Sequence, residues 1–253
     1  MARFIGILSA KGGVGKTTTS INLGIALTKY GKRVVIVDGN LTTPNVGVSL
    51  GVASVPVHLH HVLAGKKKIK DAVYQHESGA LVVPASISVH DIGEINPSRL
   101  KRCLTPLKRM ADIVIIDGAA GLGAEATAAI KASDEIIVVT NPDILAVADA
   151  LKAIKFAEKF GKETIGVIVT RTKGDKVELK PKEIERLLEK PVLGVVPEDK
   201  CVKKALSKRN PVISTHPNSS SAIAYKKLAA NILGENYKPE SFVEFVKDYF
   251  KLI

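Results

Sequence analysis

The sequence predicts an α/β protein with a mainly parallel central sheet flanked by helices on both faces. Three observations predict it. The short β-branched runs are apolar throughout rather than alternating; longer segments of helical period separate them; and a glycine-rich turn joins the first run to the first helical segment. A strand that is apolar on both faces is buried on both, as in a parallel sheet between two helical layers. Each strand–helix–strand alternation then implies a right-handed crossover.

In chain order, the expected strands are Phe4–Leu8, Val34–Val37, Leu81–Val83, Ile113–Ile116, Ile136–Val139, Ile165–Val169 and Val192–Val195. The expected helices are Thr17–Tyr30, Pro97–Met110, Ala124–Lys131, Ile144–Phe160 and Pro181–Glu189. No linker, repeat or low-complexity block divides the chain, so residues 1–238 read as one domain, followed by an amphipathic segment over 239–253. Of 253 residues, 45% are hydrophobic and only 4% aromatic, so Val, Ile, Leu and Ala must build the core. Cys103 and Cys201 stand alone, which excludes a disulfide framework and a cysteine-bound metal or cluster within one chain. The first residues enter a strand pattern at once, and no apolar run reaches the ~18 residues of a membrane span, so a cytoplasmic protein is expected. The net charge of +12 favours anionic partners, and reads equally as a lysine-rich solvated surface.

The first strand runs into Ser9-Ala10-Lys11-Gly12-Gly13-Val14-Gly15-Lys16-Thr17-Thr18 and then a helix. A strand, a glycine-rich turn and a helix N-terminus make an anion site, with backbone N–H groups pointing inward and the helix dipole adding positive potential. In this pattern Lys16 bridges the β- and γ-phosphates of a nucleotide, and the Thr17 hydroxyl ligates magnesium. ATP with Mg2+ is therefore the expected cofactor pair, and a single-domain P-loop NTPase the expected fold. The strict G-x4-G-K-[ST] pattern is not met, because Ala10 takes its first glycine position. Two buried strands end in acids. Asp117 can hold the magnesium shell through water, or cap the turn that follows it. Asp38, the other acid at a strand end, opens Asp38-Gly39-Asn40 and is expected, with Lys16 and Asn40, among the catalytic residues.

Lys11 is a second lysine that one triphosphate does not need. Here the sequence resembles the deviant Walker-A ATPases of the MinD/ParA family, whose loop reads KGGxGKTT, and most of all the archaeal MinD-type proteins. The resemblance spans essentially the whole chain: Lys11–Thr18, Val34–Asp38 with Pro44-Asn45, Ile115–Asp117 with Ala120-Gly121-Leu122, Thr140–Asp143 and Val196–Asp199. It implies that Lys11 reaches across an ATP-dependent homodimer to the partner's nucleotide. It also places Thr170, Arg171, Pro197, Glu198 and Asp199 near the base, although from sequence alone these are ordinary strand-end turns. The family usually reads Asp-x-Asp where this chain has Asp38-Gly39-Asn40, the second acid helping to orient the attacking water. An amide can hydrogen-bond that water but cannot accept its proton. Slow or partner-stimulated hydrolysis is thus expected, and Asn40→Asp is expected to raise it.

The resemblance implies an ATP-dependent switch in cell division or spatial positioning, peripheral at the inner face of the cell membrane and reset by hydrolysis with a regulatory protein activator. A ParA-like partitioning ATPase that binds DNA nonspecifically is ranked second, with Lys203-Lys204, Lys208-Arg209 and Lys226-Lys227 as its candidate surface. Cluster-delivery relatives use paired cysteines, which this chain lacks. The tail carries the membrane expectation. Phe242, Phe245, Val246, Tyr249, Phe250 and Ile253 form one helical stripe, with Glu240, Glu244, Lys247, Asp248 and Lys251 opposite. Such a stripe covers a membrane surface or docks on the protein itself. His58, His60 and His61 lie in a short amphipathic helical pattern and read as packed or surface histidines rather than metal ligands.

Overall fold

A computed structural model describes residues 2–88, 90–91 and 95–249, with side chains to residue 246. The strands are β1 (Arg3–Ser9), β2 (Val34–Gly39), β3 (Tyr74–Gln75), β4 (Leu81–Val83), β5 (Ile113–Ala120), β6 (Glu135–Thr140), β7 (Glu163–Thr172) and β8 (Val192–Pro197). They form one sheet in the order β3-β4-β2-β5-β1-β6-β7-β8. Every pairing is parallel except that of β3 with β4. All seven expected strands are present. The added strand, β3, is a two-residue edge too short to leave a periodic signal.

The helices are α1 (Lys16–Lys29), α2 (Val46–Ser49), α3 (Leu59–Leu63), α4 (Leu100–Leu104), α5 (Ala124–Ala132), α6 (Ile144–Glu158), α7 (Pro181–Leu188), α8 (Lys200–Ser207), α9 (Val212–Thr215), α10 (Ser220–Leu233) and α11 (Phe242–Tyr249). Two apolar layers enclose the sheet. One packs residues of α4, α5, α6 and α7 on it, the other residues of α1, α9 and α10. The strand centres are sealed between them: Ile5, Ile7, Val35, Ile36, Val114 and Ile115 are wholly buried. Each such side chain contributes roughly 1.5–3 kcal/mol of burial, which explains why the runs tolerate no polar residue until they reach their carboxyl ends.

Two helical expectations are corrected. Pro97–Met110 is not one helix but a 3-10 turn, the short α4 and a second 3-10 turn over Thr105–Arg109. Pro106 lacks the N–H that would continue the ladder, and its ring crowds the preceding turn. The second concerns omissions: α8 and α10 were not expected, and α10 is the longer of the two. It is buried on nearly every side, so its stripe is blurred. Its ends were nevertheless written in the sequence: the Ser219 side chain accepts from Ala222 N, and Gly234 closes the helix at φ 69°.

Register places the chemistry. Pairing of β2 with β5 sets Asp38 beside Asp117 at the carboxyl ends of adjacent strands. β1, which leads into the glycine-rich turn, lies on the other side of β5. In open α/β sheets the crevice outside these strand ends is where ligands bind.

Candidate functional site

The turn after β1 is a backbone cradle. Gly13 at φ 80° and Gly15 at φ 93° adopt the left-handed conformation that side chains resist. Gly15 caps α1 without any side-chain hydrogen bond, which leaves the first-turn amides of α1 open to an anion. The loop borders a cavity of about 580 Å³ walled by Gly12, Gly13, Gly15, Lys16, Thr17 and Thr18 on one side and by Asn40, Thr43 and Asn45 on another.

Behind the cradle, Lys16 and Thr17 converge on Asp117. Lys16 Nζ lies 3.1 Å from Asp117 Oδ1, and Thr17 Oγ1 donates to Oδ2 at 2.6 Å. Ser20, one helical turn after Lys16, donates to Oδ1 at 2.8 Å. Asp117 is wholly buried, so its charge is held by this cation and these hydroxyls. The pairing of hydroxyl and carboxylate oxygens from Thr17 and Asp117 is the hard-oxygen set that a magnesium ion takes. Sequence reasoning did not single out Ser20, although its spacing from Lys16 places it on the same helical face.

Asp38 is also wholly buried. Burial, reinforced by the neighbouring Asp117 charge, raises its pKa well above the usual carboxylate range. Its oxygens accept from Asn40 N at 3.3 Å and Val46 N at 2.9 Å, so it braces the loop between β2 and α2 and does not border the cavity. Asn40 does border the cavity, but both ends of its amide are engaged. Nδ2 donates to Thr43 O at 2.6 Å, and Oδ1 accepts from Thr43 N and Thr43 Oγ1 at 3.3 and 3.1 Å.

The remaining expected residues fall in two groups. Lys11 and Gly12 are exposed at the tip of the cradle, while Val14 is buried in the core. The Val14 carbonyl accepts from Thr170 Oγ1 at 2.5 Å, which ties the cradle to the end of β7. Beside it, a second cavity of about 300 Å³ is lined by Gly15, Thr18, Thr170, Arg171, Pro197, Glu198 and Asp199. The expected base-contact residues are therefore gathered at one place next to the phosphate cradle. Two of them have structural duties there. Thr170 is buried on backbone carbonyls, and Asp199 caps α8 through Cys201 N and accepts from both Ser221 N and Ser221 Oγ. Arg171 borders both cavities with its backbone at φ 58°, a conformation that costs a branched-off residue energy and recurs at functional sites.

Among the described residues, no group of three or more His, Cys, Asp or Glu side chains could hold a metal. The histidines of α3 are packed: His58 stacks on His61, and His60 is buried. One proposed DNA-facing residue is corrected. Lys226 is buried in an ion pair with Glu240 and Glu244, so it presents no charge to a ligand.

A parallel sheet whose first strand delivers a glycine cradle, a lysine and a threonine onto a buried aspartate defines a P-loop nucleotide-binding protein. A family model described as an AAA domain matches residues 2–167. A second, described as iron–sulfur cluster binding proteins of the NifH/frxC family, matches residues 110–244. That stretch holds one cysteine, Cys201. The chain is 42% identical to an uncharacterised ATP-binding protein of Methanocaldococcus jannaschii, covering 99% of this chain and 97% of that one. It is 35% identical to the septum site-determining protein MinD of Bacillus subtilis, over 93% of this chain and 91% of that one. The structure of MinD from Pyrococcus horikoshii in complex with Mg-ADP superposes with a TM-score of 0.88 at 34% identity, over 92% and 96% of the two chains. The chain belongs to the MinD/ParA family of P-loop proteins.

Proposed function

We propose that this protein is a MinD-like ATPase switch: ATP with magnesium drives two copies together face to face, and slow hydrolysis separates them. The observation that carries the reading is the convergence of Lys16 and Thr17 on the buried Asp117 at the mouth of the Gly12–Gly15 cradle. Lys16 would hold the phosphates of the nucleotide, and Thr17 and Asp117 would hold magnesium. The metal supplies charge neutralisation on the transferring phosphoryl group. Arg171 and Pro197–Asp199, which line the adjoining cavity, would hold the base. Lys11, exposed at the cradle tip, reaches the partner's triphosphate. Asn40 and the backbone around it shape the wall where the attacking water sits. The ATP-bound dimer then engages a membrane surface or a regulatory protein through the outward face of α11, where Phe242 and Phe245 are exposed. Among the described residues no helix is long and apolar enough to cross a membrane, which fits a peripheral attachment.

Analytical ultracentrifugation with a non-hydrolysable ATP analogue and Mg2+ tests the reading. The wild type is expected to dimerise only with the analogue. Lys16→Ala is expected to abolish nucleotide binding, and Lys11→Ala to bind nucleotide as a monomer. Normal dimerisation of Lys11→Ala would remove the cross-subunit role of that lysine.

A further inference from the structure

The wall loop between Asn40 and Asn45 is held from two directions by residues that no phosphate-loop motif includes. Glu125, second residue of α5, lies 84 positions away in sequence. Its Oε2 accepts from Leu41 N at 2.7 Å and from Thr42 N at 3.3 Å, and its Oε1 accepts from Thr42 Oγ1. From the other side, His60 Nε2 contacts Leu41 O at 3.1 Å while Nδ1 faces Ser86 N at 3.1 Å. Ser86 N can only donate, so Nδ1 is bare and the proton is on Nε2, which donates to the Leu41 carbonyl. Leu41 therefore has both backbone polar groups committed, one to each clamp, and its neighbour Asn40 is latched to Thr43.

The chemistry at stake is the position of that wall. Phosphoryl transfer depends mostly on placing the water and the phosphoryl group, and a displacement of about 1 Å can cost on the order of a hundredfold in rate. Glu125 stands at the start of the helix that follows β5, the strand carrying Asp117. Its carboxylate thus joins the segment beside the metal-binding aspartate to the loop that walls the phosphate cavity. We infer that Glu125, with His60 as its counterpart on the opposite side of Leu41, is a positioning residue that sets the Asn40–Asn45 wall and makes it move with the Asp117 segment. The inference rests on the hydrolysis reading above. In this chain, where position 40 carries an amide already bound to its own loop, the placement of the wall falls to the clamp.

Glu125 is half-buried and its carboxylate bonds Leu41 and Thr42 rather than the cradle, so its variants are expected to fold and bind nucleotide. The test compares wild type with Glu125→Gln, Glu125→Ala and Thr42→Val. It reads affinity for a fluorescent non-hydrolysable ATP analogue, single-turnover hydrolysis at saturating ATP, and amide exchange across residues 38–46. The expectation is a single-turnover rate reduced about tenfold or more in Glu125→Ala, with affinity changed less than about threefold, a smaller loss in Glu125→Gln and Thr42→Val, and faster exchange at Leu41 and Thr42 in step with the rates. A rate within about twofold of wild type in a folded Glu125→Ala overturns the inference, as does a rate loss matched by an equal loss of affinity. If the wild type itself hydrolyses no ATP, the hydrolysis reading fails first. The clamp is then judged on exchange alone: unchanged protection of Leu41 and Thr42 in Glu125→Ala overturns it.

Discussion

The family resemblance implies a second acid where this chain has Asn40, and from sequence an aspartate there is expected to speed hydrolysis. The structure redirects that expectation. Nδ2 donates to the Thr43 carbonyl at 2.6 Å, and a carboxylate in its place would set oxygen against oxygen. It would also add negative charge beside Asp38, whose buried carboxyl already resists ionisation. Asn40→Asp is therefore expected to lose about 1 kcal/mol of stability and to leave single-turnover hydrolysis no faster than wild type. Thermal melts and single-turnover rates on both proteins check this; a several-fold faster variant would restore the carboxylate reading. The meeting of Lys16, Thr17 and Asp117 was legible because short motifs at strand ends carry all three. Glu125 and His60 were not, since each acts on Leu41 through a fold contact that no spacing announces. Thr170 and Asp199 line a cavity beside the cradle, but their partners, the Val14 carbonyl and Ser221, belong to other elements and could not be read from their own turns.

At the scale of elements, the apolar strands and α1, α3, α5, α6, α7 and α11 were legible, whereas α2, α8, α9 and α10 were not. For α11 the sequence left open whether the helix docks on the protein or covers another surface. The helix lies on the body, but through its polar side. Glu244 is wholly buried, ion-paired with Lys226, and accepts from Tyr237 Oη at 2.7 Å and Glu240 N at 2.9 Å. Phe242 and Phe245 are exposed to 79% and 53%. Tyr249, Phe250 and Ile253 lie outside the described side chains. A buried pair is held by mutual neutralisation, and removing one member strands the other at a cost of about 3–5 kcal/mol. Lys226→Met is accordingly expected to release α11 and expose the segment after Gly234 to proteolysis, with the α1–α10 body still folded; unchanged resistance to cleavage would contradict the clip. A second element-level prediction concerns α3. Burial, with the adjacent His61 charge, lowers the His58 pKa to about 4 from its ordinary 6.5, against the opposing pull of Asp91. The native state then binds fewer protons than the unfolded state between those values, so this stability is fully present above pH 6.5 and lost as the pH falls toward 4. Denaturant midpoints across that window should decline, and less steeply in His58→Asn; parallel slopes would show that other groups set the acid sensitivity.

At the scale of the whole molecule, the outward aromatic face of α11, the net charge of +12 and the expected ATP-dependent dimer combine into one behaviour. Each exposed phenylalanine gains roughly 1.5–3 kcal/mol on entering an apolar phase. The polar clip holds the helix already formed, so little of that gain is spent on ordering a short helix. A single copy still offers few apolar side chains, which makes attachment weak. Two copies on one dimer convert the second insertion into an intramolecular event, and avidity multiplies the affinity. Attachment should therefore follow ATP. The basic body adds attraction to anionic headgroups, so salt and lipid charge should modulate it. Deletion of Ser241–Ile253 isolates the helix cleanly, because Glu240, 2.6 Å from Lys226 Nζ, remains to neutralise the buried lysine. The truncated protein is expected to fold, bind nucleotide and dimerise, yet fail to sediment with anionic vesicles in the ATP-analogue state that carries the full chain down. Binding to zwitterionic vesicles should be weaker for the full chain, and ADP should release it. If the folded truncation sediments as well as the full chain, the membrane site lies on the basic body. If vesicles fail with both while duplex DNA co-sediments in the ATP state, exposed Lys203, Lys204, Lys208 and Arg209 become the binding face and the DNA-partitioning reading replaces the membrane one.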